Sequence, residues 1–149
     1  MRTKFNRTLI ATALGALTMG GTIAQAAALP AVQQSGAVQY LSGGIGQDES
    51  MAIEQASHHW PLTLEFAARD QHRADFLADV NVVVRDAGGH TLLRTVSTGP
   101  FVLAKLAPGQ YDVDATLAGK TLREKVVVKH DQPARALFLW PTEAADQQS

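Results

Sequence analysis

Residues 107–117 read Ala-Pro-Gly-Gln-Tyr-Asp-Val-Asp-Ala-Thr-Leu. Pro108 sets φ near −65° and Gly109 tolerates positive φ, a pair that predicts a type II turn over Ala107–Gln110. Tyr111, Val113, Ala115 and Leu117 then alternate with Asp112, Asp114 and Thr116. A period of two with one apolar face is the pattern of a half-buried strand. The stretch therefore predicts a turn running into a strand, and the rest of the chain is read outward from it.

The same period recurs on both sides. Leu62, Leu64 and Phe66 alternate with Thr63 and Glu65; Val80, Val82 and Val84 follow; Leu92, Arg94 and Val96 form another run. Phe101–Leu106, Leu122–Lys129 and Ala134–Trp140 complete seven strands. Asp86-Ala87-Gly88-Gly89 and Ala118-Gly119-Lys120 are turns between them, and Thr98-Gly99-Pro100 breaks a run. Ala68–Asp75 reads as a charged loop, and a further short strand is expected around Ala37–Leu41. Such spacing leaves no room for crossover helices and predicts a mainly β, antiparallel sandwich. One helix precedes the strands: Ala52, Ile53, Ala56 and Trp60 share helical spacing from Asp48 to His58, and Pro61 stops it. Leu137 and Leu139 oppose Phe138 and Trp140, so the last strand is apolar on both faces. It is expected at the centre of a sheet or beneath the helix.

The ends carry different signals. Arg2, Lys4 and Arg7 precede an uncharged, mildly apolar run from Thr8 to Ala24, followed by Ala24-Gln25-Ala26. A positive head, an apolar stretch and small residues at a cleavage position make a secretory signal. The run is shorter and more polar than a bilayer span. The expected organisation is a signal peptide over 1–26 (cleavage after 26, or after 28), a flexible leader over 27–46, helix and sandwich over 47–141, and a disordered tail over 142–149. The mature chain is expected to be periplasmic or secreted, without a membrane span. It contains no cysteine, so no disulfide stabilises it. Removing three positive charges takes the formal balance from −1 to −4, a poor match to nucleic acid.

Residues 81–128 carry a resemblance. "VVVRDAGG", "STGPFVLAKLAPGQYDVDA", a glycine turn and a valine-rich strand resemble the carboxypeptidase regulatory-like domains, which are transthyretin-like (prealbumin-like) sandwiches. Leu106–Tyr111 is the most specific part. The resemblance implies a seven-stranded transthyretin-like sandwich and a noncatalytic appendage rather than a reaction. Tyr40–Phe66 looks like the opening of small exported proteobacterial proteins, which names no activity.

Chemical motifs are few. Ser42–Ser50, "SGGIGQDES", has glycines ahead of a helix start but no lysine for a P-loop. It also has Glu49 where a dinucleotide fingerprint needs its third glycine. Asp48 and Glu49 suit the positive end of a helix, and Asp48 is expected to cap it, with the glycines a pliable entry. His58, His59 and His72 lack ligand spacing for a metal. Ser50, His59 and Asp70 are the residues from which a hydrolytic site in the Ser50–Asp75 region would be built, with no serine elbow around any of them. Asp112 and Asp114 are expected on a solvated strand face. Trp60, Phe101, Tyr111, Phe138 and Trp140 are either core or a sugar-stacking platform.

No catalytic, cofactor-binding or metal-binding residue is assigned. The expected function is a binding or interaction module for an envelope protein or glycan. Its working surface would be Arg69–Asp75, Ser97–Pro100 or an open sheet edge. A small hydrolase and a self-associating envelope protein are the alternatives.

Overall fold

The protein's computed structural model describes residues 28–69 and 74–141. The expected signal peptide, the tail, and Asp70 and His72 lie outside the described residues. The fold is mainly β, with two sheets and one helix. The elements are β1 (Gln33–Ser35), β2 (Val38–Gly43), α1 (Gln47–Ser57), β3 (Leu62–Arg69), β4 (Ala74–Phe76), β5 (Asn81–Asp86), β6 (Thr91–Val96), β7 (Phe101–Ala104), β8 (Gly109–Leu117), β9 (Lys120–Val128) and β10 (Ala134–Pro141). The first sheet runs β1-β2-β7-β3-β10; the second runs β6-β5-β8-β9. β10 pairs with β3 along its whole length, so β7 and β4 share the other edge of β3 end to end, at Leu62–Glu65 and Ala67–Arg69.

Seven antiparallel strands were expected; the described residues hold ten, and β10 runs parallel to β3. β2 answers the short strand expected around Ala37–Leu41, whereas β1 and β4 come from segments read as irregular. Part of the 27–46 leader forms β1 and β2, where Val38 and Tyr40 enter the main core and Leu41 packs under the helix. The Ala68–Asp75 loop is entered by β3 through Arg69 and left by β4 from Ala74. Three-residue strands are too short for a period to emerge from their sequence.

The main core lies between the sheets. Leu64, Phe66, Phe138 and Trp140 from the first sheet meet Val82, Val84, Val113 and Ala115 from the second. The rings of Phe66 and Phe138 are 5.7 Å apart, and Trp140 donates its Nε1–H to the carbonyl of Lys120 at 3.1 Å, joining β10 to β9 across the seam. A smaller core forms outside the first sheet, where α1 lays Ile53 and Ala56 over Leu41, Phe101 and Leu103, with Trp60 beside them. The helix thus covers β2 and β7. β10, expected to be central or covered, is instead an edge strand whose Leu137 is 52% exposed. Ile53 faces the β2–β7 side, which leaves the outer face of β10 open.

Two turns differ in mechanism from each other. Ala118 (φ 48°) and Gly119 (φ 77°) make the tight β8–β9 hairpin that glycine-containing turns favour. The type II turn expected at Ala107–Gln110 is absent, because Gly109 does not have positive φ and already pairs with Val128 in β8. The bend is held by the Tyr111 hydroxyl, which donates to the carbonyl of Ala107.

On the outer face of the second sheet, Asp112 and Asp114 point outward as alternation requires, yet Asp114 is only 8% exposed. It accepts from Arg123 Nε at 2.6 Å and Nη2 at 3.1 Å, and from Arg85 Nη1 at 2.7 Å, bridging β5, β8 and β9. The Arg123 hydrogen bonds hold its carboxyl below the usual 3.8; burial opposes this, and Arg85 adds to it. A depressed folded pKa stabilises above the unfolded value and is lost as pH falls through the folded one. Thermal melts are expected to lose stability on acidification from about pH 4 downward. Asp114→Asn should cost about 1–3 kcal/mol at pH 7 and flatten that acid dependence. An unchanged acid profile in Asp114→Asn would remove Asp114 as its source.

Candidate functional site

The glycine stretch Ser42–Ser50 ends β2 and starts α1. Ser42 is buried, and its hydroxyl donates to the carbonyl of Phe101 and accepts from the N–H of Thr98, both at 3.0 Å. Thr98 Oγ1 in turn donates to the carbonyl of Ser42 at 3.0 Å. A side chain on Gly99 would overlap the backbone of Gly43. Gly44 has φ of 101°, and a Cβ there would strike the Phe101 ring. The chain is therefore turned sharply out of the sheet at this point.

The helix start differs from the expectation. Gly46 is the N-cap and no side chain caps it, so Asp48 is not the capping residue. Glu49, three residues into the start, reaches back to accept the N–H of Gly44 at 2.7 Å. This is the backward half of a capping box, made to the loop instead of to the N-cap. Both carboxylates still lie in the first turn, where the helix dipole favours them. Gly43 and Gly44 are fixed by close approach and by Glu49, not a pliable entry, while Gly46 meets no atom within 4 Å.

This turn leaves a groove. Ile45, Phe76, Leu77 and Pro100 give it apolar walls, with Gln47 and Ser50 at the helix side, enclosing about 410 Å³. Ile45 is 65% and Phe76 60% exposed, although both are large apolar side chains. Phe76 lies 6.3 Å from the buried Phe101 ring, so the groove is continuous with the small core under α1. Apolar concavities of this size are common binding sites.

The other candidates are dispersed. Ser50 lines the groove, whereas His58 and His59 line a shallow depression with Pro61 and Asp131 beyond the far end of α1. Nine helical residues span roughly 13 Å, so Ser50 and His59 are not brought together. Among the described residues no three His, Cys, Asp or Glu side chains form a metal-binding group. Trp60, Phe101, Tyr111, Phe138 and Trp140 are all buried and make no stacking platform. Ser97–Pro100 is no free loop: Ser97 is buried, its hydroxyl accepts the Val80 N–H at 3.0 Å, and Thr98 is bound to Ser42. Among the described residues no helix is long and apolar enough to cross a membrane.

No protein-family model matches this chain, and no curated protein matches it. The resemblance over residues 81–128 rests on those residues themselves. Ser42–Ser50 was singled out in the sequence, but Phe76 was not, because a three-residue strand after a charged loop shows no period, and Ile45 was passed over inside a glycine turn. An isoleucine flanked by glycines on both sides was the available signal.

Urea denaturation separates the two kinds of glycine here. Gly44→Val combines positive φ with ring overlap and should cost about 2–4 kcal/mol. Gly46→Ala meets no atom within 4 Å and should cost only the strain of φ 86° with ψ 156°, a region essentially restricted to glycine, about 1–3 kcal/mol.

Proposed function

We propose that this chain is a noncatalytic exported binding module of the carboxypeptidase regulatory-like type, and that the groove between the α1 entry and β4 is its working surface. The observation that carries the reading is the pair of large apolar side chains, Ile45 and Phe76, both exposed and both lining one concavity. Monomeric proteins rarely expose such side chains together without a use. The mainly β, two-sheet architecture is consistent with the sandwich that the resemblance implies. The wide separation of Ser50 from His58 and His59 argues against the hydrolase alternative. An envelope protein or a glycan remains the expected kind of partner, and the apolar walls favour a protein. Signal cleavage after Ala26 or Ala28 would deliver the domain to the periplasm or beyond.

The test uses the chain beginning at Ala27 and an environment-sensitive apolar dye. Saturable dye binding is expected, reduced several-fold in Ile45→Ser/Phe76→Ser at unchanged melting temperature. Equal binding by the double variant would remove the groove from the reading. Ester turnover that disappears in Ser50→Ala would replace it with the hydrolase alternative.

A further inference from the structure

In the first sheet, β2 pairs with β7 only as far as Gly43 opposite Phe101. The lane it would occupy continues beside β4, but Gly44 turns the chain away. β4 pairs with β3 on one edge, and among the described residues no strand pairs with the other. Leu77 donates its N–H to the carbonyl of Phe66 at 3.1 Å, which directs the backbone of residue 77 toward β3. Antiparallel ladders alternate, so the N–H and C=O of Phe76 point the opposite way, into a lane that no described strand fills. The apolar groove lies beside Phe76 and is lined by Ile45 as well.

We propose that the lane accepts an extended segment of a partner protein as an added strand beside β4, with apolar residues at alternate positions and lysine or arginine at its flanks. The inference rests on the groove being the working surface. The unpaired backbone of Phe76 selects an extended main chain over a compact small molecule. Alternate side chains of that strand would lie against Phe76 and Ile45. Charge selects the flanks: Asp48 and Asp79 each adjoin a residue lining the groove. Among the described residues the nearby cations are engaged: Arg135 binds Glu54 and Glu65, and Arg69, opposite Ala74 on β3, carries an interaction of its own. β4 is short, which limits edge-to-edge aggregation while leaving one pairing position open.

The experiment titrates the Ala27–Ser149 chain with three fluorescent probes and follows anisotropy. The first is an eight-residue alternating valine–threonine peptide with two lysines at each end. The second is the same peptide N-methylated at alternate residues; the third has glutamates in place of the lysines. The proposal expects saturable binding of the first, weakened about tenfold by N-methylation, as for loss of one or two backbone hydrogen bonds. The glutamate peptide should bind more weakly still, and added salt should weaken the lysine peptide. Phe76→Pro removes the N–H directed into the lane and should weaken the lysine peptide more than Phe76→Ala does, both variants being checked by thermal melt. Equal affinity for the methylated and unmethylated peptides overturns strand addition whether or not the proline variant folds. Dye binding in the groove without peptide binding also overturns it, while leaving the groove as the working surface. Absence of both defeats the two readings together. A concentration-dependent dimer abolished by Phe76→Pro would assign the lane to a second copy and overturn the partner segment.

Discussion

The backbone of Gly43 lies against Gly99, closer than any side chain at position 99 would permit. At this contact the chain leaves the second sheet after β6 and enters the first as β7. Two backbones at that spacing have no room for water, so their polar groups are matched by the Ser42 hydroxyl, the Thr98 hydroxyl and the Thr98 N–H. Pro100 then accepts the Phe66 N–H at 2.8 Å, which sets β7 against β3. The placement of β2, β7 and β3, and hence of the gap beside β4, follows from one crossing point. A loop with ordinary side chains there would hold the two sheets farther apart.

The helix is attached by less. Five buried residues form its core with the sheet, compared with more than twenty between the sheets. Arg135 supplements them by bonding Glu54 on the helix and Glu65 on β3. Its hydrogen bonds, those donated to Glu54 first, raise the guanidinium pKa further above its already high value, and the same contact lowers that of Glu54. These groups are substantially exposed, so solvent screening keeps the pair a modest contributor. Beneath the helix the Thr63 hydroxyl is buried with no hydrogen-bond partner, a small penalty on closing this layer. The groove thus opens at the more weakly held layer of the molecule.

The second sheet was legible where alternation holds, as at Val113 and Ala115; Val83 interrupts it between Val82 and Val84, and in β6 Leu93 is the buried residue while Val96 of the run read there is exposed. The helix was legible to within a residue from Ile53, Ala56 and the Pro61 stop. β2 was underread because Tyr40 and Leu41 are both buried, on opposite sides of a sheet covered on both faces, and alternation vanishes there. The edge position of β10 was hidden for a related reason: Leu137 and Leu139 look like covered residues, and nothing local records that the helix lies over β2 and β7. The groove was illegible because it is made by an absence, a lane that β2 does not fill. Only the pairing register reveals it. Gly44 and Gly99 were visible as glycines, but their partners, Phe101 and Gly43, are set by tertiary contact.

The parallel pairing of β10 with β3 has a consequence for the order of folding. Arg135 and Glu65, bonded across it, are 70 residues apart in sequence. Until the chain is complete through Trp140, β3 has an unpaired edge and Phe66 lacks two of its aromatic neighbours. Closure of the core by so distant a strand raises contact order, which slows folding. β3 therefore keeps an unpaired edge until β10 is made, and the first sheet is the later of the two to be completed.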